Sequence, residues 1–398
     1  MTSNALHVTT KILETNTMKP TMRAAVYRGI EDVRVETIDV PPIGEGEVLI
    51  RVGVCGVCGT DLKKIHWGLV PPPRIFGHET AGTIATVGAN VRSWKVGDRV
   101  VINHHVPCLK ADCFYCARRV FAQCPVYKRT GTTAGFEPAG GGFAEYVRVM
   151  DWCVERGMVA IPDDISFEEA SFLEPLNTCL KGVETAGIQS GDTALIIGQG
   201  PIGLLFTQIV KLAGAHVIAS DRLDYRLAAS LRYGADYALK PSTECGSHES
   251  QITTTSENPA KNDSDKTDVD TIPHAIERLS AGRGADVVIV AVPVETSVLQ
   301  WILSLLRPGG KVLLFANTRL NDPIEVDAGA ICMQEKTLIG SYSSDINLQA
   351  RAAELIFKRR IDVSSLVTHR FPLGAINEAL DYASHPRDSS LKVIVEME

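Results

Sequence analysis

The sequence predicts an α/β protein with two domains, one β-rich and one built on a doubly wound parallel sheet. A chain of 398 residues is longer than one compact core usually holds, so two domains are expected. Residues 22–176 consist of short β-branched segments separated by Gly, Pro and Asp. From residue 177 onward, apolar runs alternate with helical patterns, which is typical of a parallel sheet.

The β-rich domain is predicted from four strand-like segments, MRAAVYR, EVLIRVGVC, ETAGTIATVG and DRVVINH. After about residue 320 the pattern is mixed and ends in the predicted strand LKVIVEME, so we assign residues 320–398 to the same domain. Residues 1–21 are polar and rich in threonine, which predicts a disordered extension.

The second domain, residues 177–319, begins with the apolar run DTALIIG, the helical pattern GPIGLLFTQIVKLAG and the run HVIASD. The helix DYRLAASLRYG follows, and ADVVIVAV, TSVLQWILSLLRPGG and KVLLFAN continue the alternation. Residues 241–271 contain almost no large apolar side chains, so we expect a disordered surface insertion there.

Composition excludes two classes of protein. No apolar run approaches the roughly 18 residues that a membrane span needs, and a formal net charge of −7 argues against a nucleic-acid binder.

The N-terminal stretch lacks the pattern of a secretory signal, so a cytoplasmic protein is expected. In that compartment, ten cysteines favour thiol or metal chemistry over disulfides.

A glycine-rich turn predicts a dinucleotide site. Gly198, Gly200 and Gly203 follow an apolar strand and begin a helix, which is the context that such a site requires. Gly198 permits the tight turn, Gly200 lets the backbone approach a pyrophosphate at the helix N-terminus, and Gly203 allows close helix–strand packing.

An acidic residue predicts which dinucleotide binds. Asp221 ends the next strand, where it can accept hydrogen bonds from the ribose hydroxyls and repel a 2′-phosphate, so NAD is favoured over NADP. Arg222 follows directly and could weaken that preference. Ile202 and Arg226 complete the predicted cofactor-binding set.

Four clustered cysteines predict a structural zinc site. Cys108, Cys113, Cys116 and Cys124 lie in one short loop, and four thiolates suit a closed tetrahedral site with no position left for a substrate. Their spacing is Cys-x4-Cys-x2-Cys-x7-Cys.

A second set of metal-ligating residue types is spread over the β-rich region. Cys58, His78 and Glu79 offer a thiolate, an imidazole and a carboxylate, which suit an open zinc site that admits a substrate. Glu174 supplies another carboxylate at the domain junction. Cys55 forms a Cys-x-x-Cys pair with Cys58, but it lies in a strand-like run, so we interpret it as a small buried side chain rather than half of a redox dithiol.

Six motifs, taken together and in their order along the chain, resemble those of the zinc-dependent medium-chain dehydrogenases. Within that family they are most similar to the motifs of the polyol (sorbitol-type) and threonine dehydrogenases. The motifs are CGTD (58–61), GHE (77–79), the four-cysteine loop, GGFAEYV (141–147), LEP (173–175) and GQGPIG (198–203). The resemblance implies a GroES-like β domain around a Rossmann domain, two zinc ions per chain, NAD as cofactor, and a homodimer or homotetramer acting on a small alcohol.

The same resemblance implies roles for the catalytic residues. Cys58 and His78 would bind the catalytic zinc, with Glu79 and Glu174 as carboxylates that bind it alternately or through water. Thr60 would hydrogen-bond the substrate oxygen and begin a proton relay. The expected reaction is the reversible oxidation of a secondary alcohol or polyol to a ketone.

Two departures from the family pattern affect these expectations. Four residues, LKAD, separate Cys108 from Cys113 where the family usually has two, which makes Cys108 the least certain ligand. Lys63 stands where the relay histidine is expected, and His66 is out of register. Lys63 could contact an anionic substrate, or it could be an ordinary solvated lysine.

Three alternative functions stay open at this point. A threonine-type amino-alcohol dehydrogenase would use the same site with another substrate. A quinone or enone reductase of the same fold would not need Cys58, His78 and Glu79 together. A non-catalytic zinc- or nucleotide-binding factor is the third alternative, and the missing relay histidine is its only support.

Overall fold

The computed structural model describes residues 20–104, 106–130, 140–241, 271–316 and 323–397. The predicted extension at 1–21 and the predicted insertion at 241–271 lie outside the described residues except at their edges. At the first edge, the chain enters a strand at Thr21, one residue before the predicted start of the β-rich domain.

Strands make up most of the β-rich region and the central sheet of the second domain. They are β1 (Thr21–Gly29), β2 (Asp32–Asp39), β3 (Val48–Gly56), β4 (Arg74–Ile75), β5 (Glu79–Val87), β6 (Arg99–Ile102), β7 (Tyr146–Val149), β8 (Met158–Ala160), β9 (Thr193–Ile197), β10 (His216–Ser220), β11 (Tyr237–Leu239), β12 (Ala285–Val290), β13 (Leu306–Leu314), β14 (Thr337–Gly340), β15 (Val367–Pro372) and β16 (Lys392–Glu396).

Helices join and cover these strands. They are α1 (Gly59–Trp67), α2 (Phe114–Ala117), α3 (Pro125–Thr130), α4 (Asp151–Arg156), α5 (Phe167–Ser171), α6 (Leu173–Ala186), α7 (Pro201–Leu212), α8 (Asp224–Arg232), α9 (Ile272–Ser280), α10 (Thr296–Leu305), α11 (Ala328–Met333), α12 (Gln349–Phe357) and α13 (Ile376–Ser384). Among the described residues, none of these helices is long and apolar enough to cross a bilayer.

The β-rich domain holds two sheets. In the larger sheet the strand order is β15-β16-β3-β5-β6-β8, and β7 also pairs with β3. The pairing of β16 with β3 brings Ile394 opposite Gly56, so β15 and β16 belong to this sheet although they follow the second domain in the sequence. The smaller sheet has the order β2-β1-β4.

The second domain is built on a parallel sheet with the order β11-β10-β9-β12-β13-β14. The chain builds β10 and β11 on one side of β9, and then β12, β13 and β14 on the other. The crevice at the carboxyl ends of β9 and β12 is therefore a switch point, where α/β sheets bind ligands. The last strand of this sheet, β14, ends at Gly340, so the sheet extends past the domain boundary predicted at residue 319. The second domain therefore reaches at least residue 340.

One apolar core joins the two domains. Leu176, Cys179 and Leu180 of α6 are fully buried in it, and so are Val54 and Ala81 of the β-rich sheet. Burying side chains of this kind contributes about 1.5–3 kcal/mol for each large one. The shared core fixes the first turn of α6 against both sheets, and the functional cavity lies beside that turn.

Candidate active site between the two domains

A cavity of about 880 Å³ lies where the two domains meet. Its wall includes residues 291–293, which directly follow β12, so it lies at the switch point of the parallel sheet. The predicted site residues that line it are Cys58, Thr60, His78, Glu79, Glu174, Gly200, Ile202, Gly203 and Arg226. Gly198 and Asp221 are not part of its lining.

Three predicted metal ligands meet in this cavity. Cys58, His78 and Glu79 each offer one ligand atom, and these atoms lie within 4.8 Å of one another. The pairing of β3 with β5 sets Gly56 opposite Glu79, which brings the start of α1 beside the start of β5. Cys58 is the N-cap of α1, where its Sγ accepts a hydrogen bond from the Thr60 amide at 3.4 Å.

A buried carboxylate that sequence reasoning left without a role holds the histidine. Asp61 is fully buried, and its Oδ1 lies 3.2 Å from Nδ1 of His78. Its Oδ2 accepts a hydrogen bond from the Cys58 amide at 3.3 Å. Burial lowers the pKa of His78, but the charges of Asp61 and Cys58 outweigh it and raise the pKa well above the usual range. This carboxylate–histidine contact orients the ring and leaves its other nitrogen for a metal.

A buried lysine from the C-terminal strand contacts the third ligand. Lys392 forms an ion pair through Nζ with Oε2 of Glu79, and both side chains are at most 5% exposed. The same Nζ donates a hydrogen bond to the Val57 carbonyl oxygen at 2.9 Å. Burial lowers the pKa of Lys392, but the charges of Glu79 and Cys58 raise it by more. Lys392 therefore stays charged and competes with a metal for Glu79.

Glu174 lies in the first turn of α6 and lines the same cavity. It does not belong to the group of ligand atoms that lie within 4.8 Å of one another. Burial, helped by the nearby charge of Glu79, raises the pKa of Glu174 to about 7 against the opposing effect of His78. Its predicted role as a zinc carboxylate stays a prediction.

The donor set of Cys58, His78 and Glu79 fits a zinc ion. Thiolate sulfur, imidazole nitrogen and carboxylate oxygen are the three ligand types that zinc takes in proteins, and three protein ligands leave one position open for a substrate. The three ligand atoms lie within 4.8 Å of one another, and His78 and Glu79 are buried, so a single ion can contact all three.

The four-cysteine loop also brings its sulfurs together. The Sγ atoms of Cys108, Cys113, Cys116 and Cys124 lie within 4.8 Å of one another, and those of Cys108 and Cys116 are 3.7 Å apart. Four Zn–S bonds of about 2.3 Å in a tetrahedron separate the sulfurs by roughly 3.8 Å. The longer first gap turns at Leu109, whose φ is 51°, so Cys108 still reaches the group. This donor set fits a closed, structural zinc site.

Helix α1 carries Thr60 and Lys63, the two positions at which the family pattern predicts a proton relay. Thr60 and Lys63 both line the cavity, and Lys63 Nζ lies 5.9 Å from the centroid of the Trp67 ring. His66 Nδ1 lies 2.5 Å from Glu31 Oε1, and its Nε2 lies 3.0 Å from Ser384 Oγ at the end of α13. These contacts join α1 to Glu31 and to the end of α13, and His66 also lines the cavity.

Cys55 is a small buried side chain, as the sequence suggested. It is fully buried, and its Sγ lies 3.5 Å from Thr80 Oγ1. Burial raises the pKa of the Cys55 thiol to about 12, so this thiol does not form the thiolate that a redox pair with Cys58 would need.

The glycine turn between β9 and α7 has the geometry of a phosphate-binding loop. Gly198 has a φ of 91°, which favours glycine. A Cβ on Gly203 would clash with the carbonyl oxygen of Gly198, so the helix can approach the strand only with glycine there. Gly200 is the N-cap of α7, and its open side faces the cavity and the guanidinium of Arg226.

Two charged residues flank this turn. Asp221 is buried directly after β10, and its two oxygens accept hydrogen bonds from the amides of Gln199 (2.7 Å) and Leu223 (2.9 Å). Arg226 lies 3.7 Å from Asp221, and its buried Nε has no hydrogen-bond acceptor among the described residues. An unsatisfied donor beside an open glycine at a helix N-terminus fits the phosphates or ribose of a dinucleotide.

Two family models match this chain. The alcohol dehydrogenase GroES-like domain matches residues 44–163, and the zinc-binding dehydrogenase model matches residues 201–358. Two curated relatives match along almost the whole chain. A sorbitol dehydrogenase of Bacillus subtilis (strain 168) is 30% identical and covers 96% of this chain and 99% of its own length. A D-arabinitol dehydrogenase 1 of Uromyces fabae is 31% identical and covers 93% and 96%.

A solved structure agrees with these relatives in fold. A zinc-binding dehydrogenase of Sinorhizobium meliloti 1021, bound to NADP, superposes with a TM-score of 0.78 at 26% identity, covering 95% of this chain and 100% of its own. Both predicted domains, the GroES-like one and the Rossmann one, are thereby confirmed. Together with the open ligand cluster in the interdomain cavity, these matches show that the chain belongs to the zinc-dependent medium-chain dehydrogenases of the alcohol dehydrogenase superfamily.

Proposed function

We propose that this enzyme oxidises a secondary hydroxyl of a polyol to a ketone, reversibly, with NAD as hydride acceptor and one catalytic zinc ion. One observation carries the proposal: the Cys58–His78–Glu79 cluster and the Gly200 side of the glycine turn face the same cavity of about 880 Å³. Such a cavity can hold a small substrate and a nicotinamide together. The polyol enzymes among the relatives support this choice of substrate.

In this proposal the catalytic zinc is held by Cys58, His78 and Glu79. Glu174 is a fourth candidate, which could take the place of Glu79 when Lys392 pairs with Glu79. When bound, zinc supplies the Lewis acidity that lowers the pKa of an alcohol, and NAD accepts the hydride. A second, structural zinc belongs to Cys108, Cys113, Cys116 and Cys124.

The chain's own residues position the reactants and carry the proton. Thr60 Oγ1 accepts the proton of the substrate hydroxyl while its own hydroxyl proton moves to water, since Lys63 stands in place of a relay histidine. Asp61 keeps the His78 ring in one orientation through its contact with Nδ1. Such placement is where a protein contributes most to hydride transfer.

On the cofactor side, Gly198, Gly200, Ile202 and Gly203 cradle the pyrophosphate, and Asp221 binds the ribose hydroxyls. The charge of Asp221 disfavours a 2′-phosphate, although Arg226 at 3.7 Å offsets part of it. Assembly as a cytoplasmic homodimer or homotetramer stays a prediction.

Zinc-loaded enzyme assayed with NAD or NADP against pentitols, hexitols, butanediols, simple alcohols and L-threonine tests the proposal. We expect NADH formation to be fastest with polyols and slower with NADP. Faster turnover of L-threonine would favour an amino-alcohol dehydrogenase. Binding of NAD without turnover of any alcohol would contradict the proposal.

A further inference from the structure

Two consecutive lysines line the cavity on α1. Lys63 and Lys64 follow Cys58 by about one and a half helical turns, and both are partly buried in the cavity wall. In the described part of the chain, the Lys64 ammonium has no carboxylate partner and no hydrogen-bond acceptor. Its Nζ lies over the face of Phe76, 5.9 Å from the ring centroid.

Three carboxylates, one on α1 and two in the cavity wall, already have other partners. Asp61 contacts Nδ1 of His78 at 3.2 Å, and Glu31 contacts Nδ1 of His66 at 2.5 Å. Glu79 pairs with the ammonium of Lys392. Lys64 therefore offers a positive charge that none of the described residues neutralises by direct contact.

A partly buried cation of this kind is costly. Burial lowers the pKa of Lys64, and the charges of Asp61 and Cys58 only partly oppose this effect. Lysine is seldom buried unless it is paired, and a desolvated charge becomes favourable when an ion partner reaches it. An anionic group of a bound molecule would be such a partner.

We infer that the substrate oxidised at this site carries an anionic group, a phosphate monoester or a carboxylate, which Lys64 binds with Lys63 beside it. The inference rests on the proposed function, because it places the reacting hydroxyl at Cys58, His78 and Glu79. Since Lys64 lines the same cavity as Cys58, His78 and Glu79, the anionic group and the hydroxyl belong to one small molecule.

The test compares three matched compounds: a pentitol, the corresponding pentitol phosphate and the corresponding pentonate. Binding is measured by calorimetry and turnover by NADH formation, for the wild type and for Lys64→Met, Lys64→Arg and the control Lys358→Met. Lys358 is an exposed lysine on the far end of α12 that pairs with Glu354. The affinity for NAD is measured in parallel.

We expect the wild type to prefer one anionic compound over the pentitol, in affinity and in kcat/KM, and the more strongly preferred one identifies the anion. Lys64→Met should reduce this preference by roughly ten- to hundredfold, the usual range for a hydrogen bond to a charged group. Lys64→Arg should keep most of it, and Lys358→Met all of it.

Turnover of the pentitol without preferential binding of either anionic compound would overturn this inference and leave the proposed function standing. A loss of NAD affinity in Lys64→Met, with substrate preference unchanged, would assign the lysine to the cofactor and also overturn it. If none of the compounds is oxidised, the proposed function fails, and the calorimetry still decides whether Lys64 binds anions.

Discussion

Replacing Lys392 with methionine should strongly destabilise the zinc-free protein. The substitution removes the ion pair with Glu79 and the hydrogen bond to the Val57 carbonyl, while methionine fills a similar apolar volume. The Lys392 side chain is 5% exposed and that of Glu79 is 1% exposed, so water cannot take over either contact. Leaving a buried charge uncompensated costs about 3–5 kcal/mol.

Zinc should reduce this cost, because a metal bound at Cys58 and His78 offers Glu79 another cationic partner. The penalty of Lys392→Met is therefore expected to be smaller in zinc-loaded enzyme than in enzyme stripped by a chelator. In the double variant Lys392→Met/Glu79→Gln no charge remains unpaired, so most of the lost stability should return.

Urea unfolding of zinc-free and zinc-loaded protein measures these differences. Lys358→Met is the matched control, since its side chain is 67% exposed and should change stability by no more than about 0.5 kcal/mol. A loss below about 1 kcal/mol in zinc-free Lys392→Met, or no recovery in the double variant, would refute the reasoning from the buried pair.

Two further predictions concern Asp61 and Glu47. Asp61→Asn should weaken zinc binding at the catalytic site by about 10–100-fold, because the carboxylate that orients His78 is lost; competition with a chelating dye measures this, and unchanged affinity would argue against the orienting role. Burial raises the pKa of Glu47, but hydrogen bonds from Arg148 (2.7 Å) and the Gly44 amide (2.6 Å) lower it below its usual 4.5 overall. A lowered pKa in the folded state stabilises the protein above the unfolded-state value and loses that effect as the pH falls through the folded-state value. The difference in unfolding free energy between wild type and Glu47→Gln should therefore be constant from pH 6 to 8 and shrink below about pH 4.5; a difference that persists to pH 3 would contradict this.

The sequence predicted the features whose residues are close together along the chain. The strand–Gly-x-Gly-x-x-Gly–helix context located the turn of Gly198, and the cysteine spacing located the loop of Cys108, because local sequence sets both geometries. The alternation of apolar runs likewise predicted the parallel sheet. The prediction assigned β14 to the other domain. Thr337–Gly340 is short and shows no apolar run, and each of its residues is half-buried or exposed.

Contacts between distant parts of the chain could not be predicted in this way. Lys392 reaches Val57 across 335 residues, and only the pairing of β16 with β3 brings it to Glu79. Asp61 stands in the quoted motif CGTD, but its role depends on the approach of β5, which carries His78 into reach. The uncompensated charge of Lys64 likewise becomes visible only when the partners of the neighbouring carboxylates are known.

Zinc quantification in wild type and Cys58→Ser, together with NADH formation from a polyol, tests the account most directly. We predict two zinc ions per chain in the wild type, and in the variant one zinc and no measurable NADH formation. A variant that keeps both metal ions and full activity would contradict the assignment of Cys58 as a ligand, and with it the account of the site.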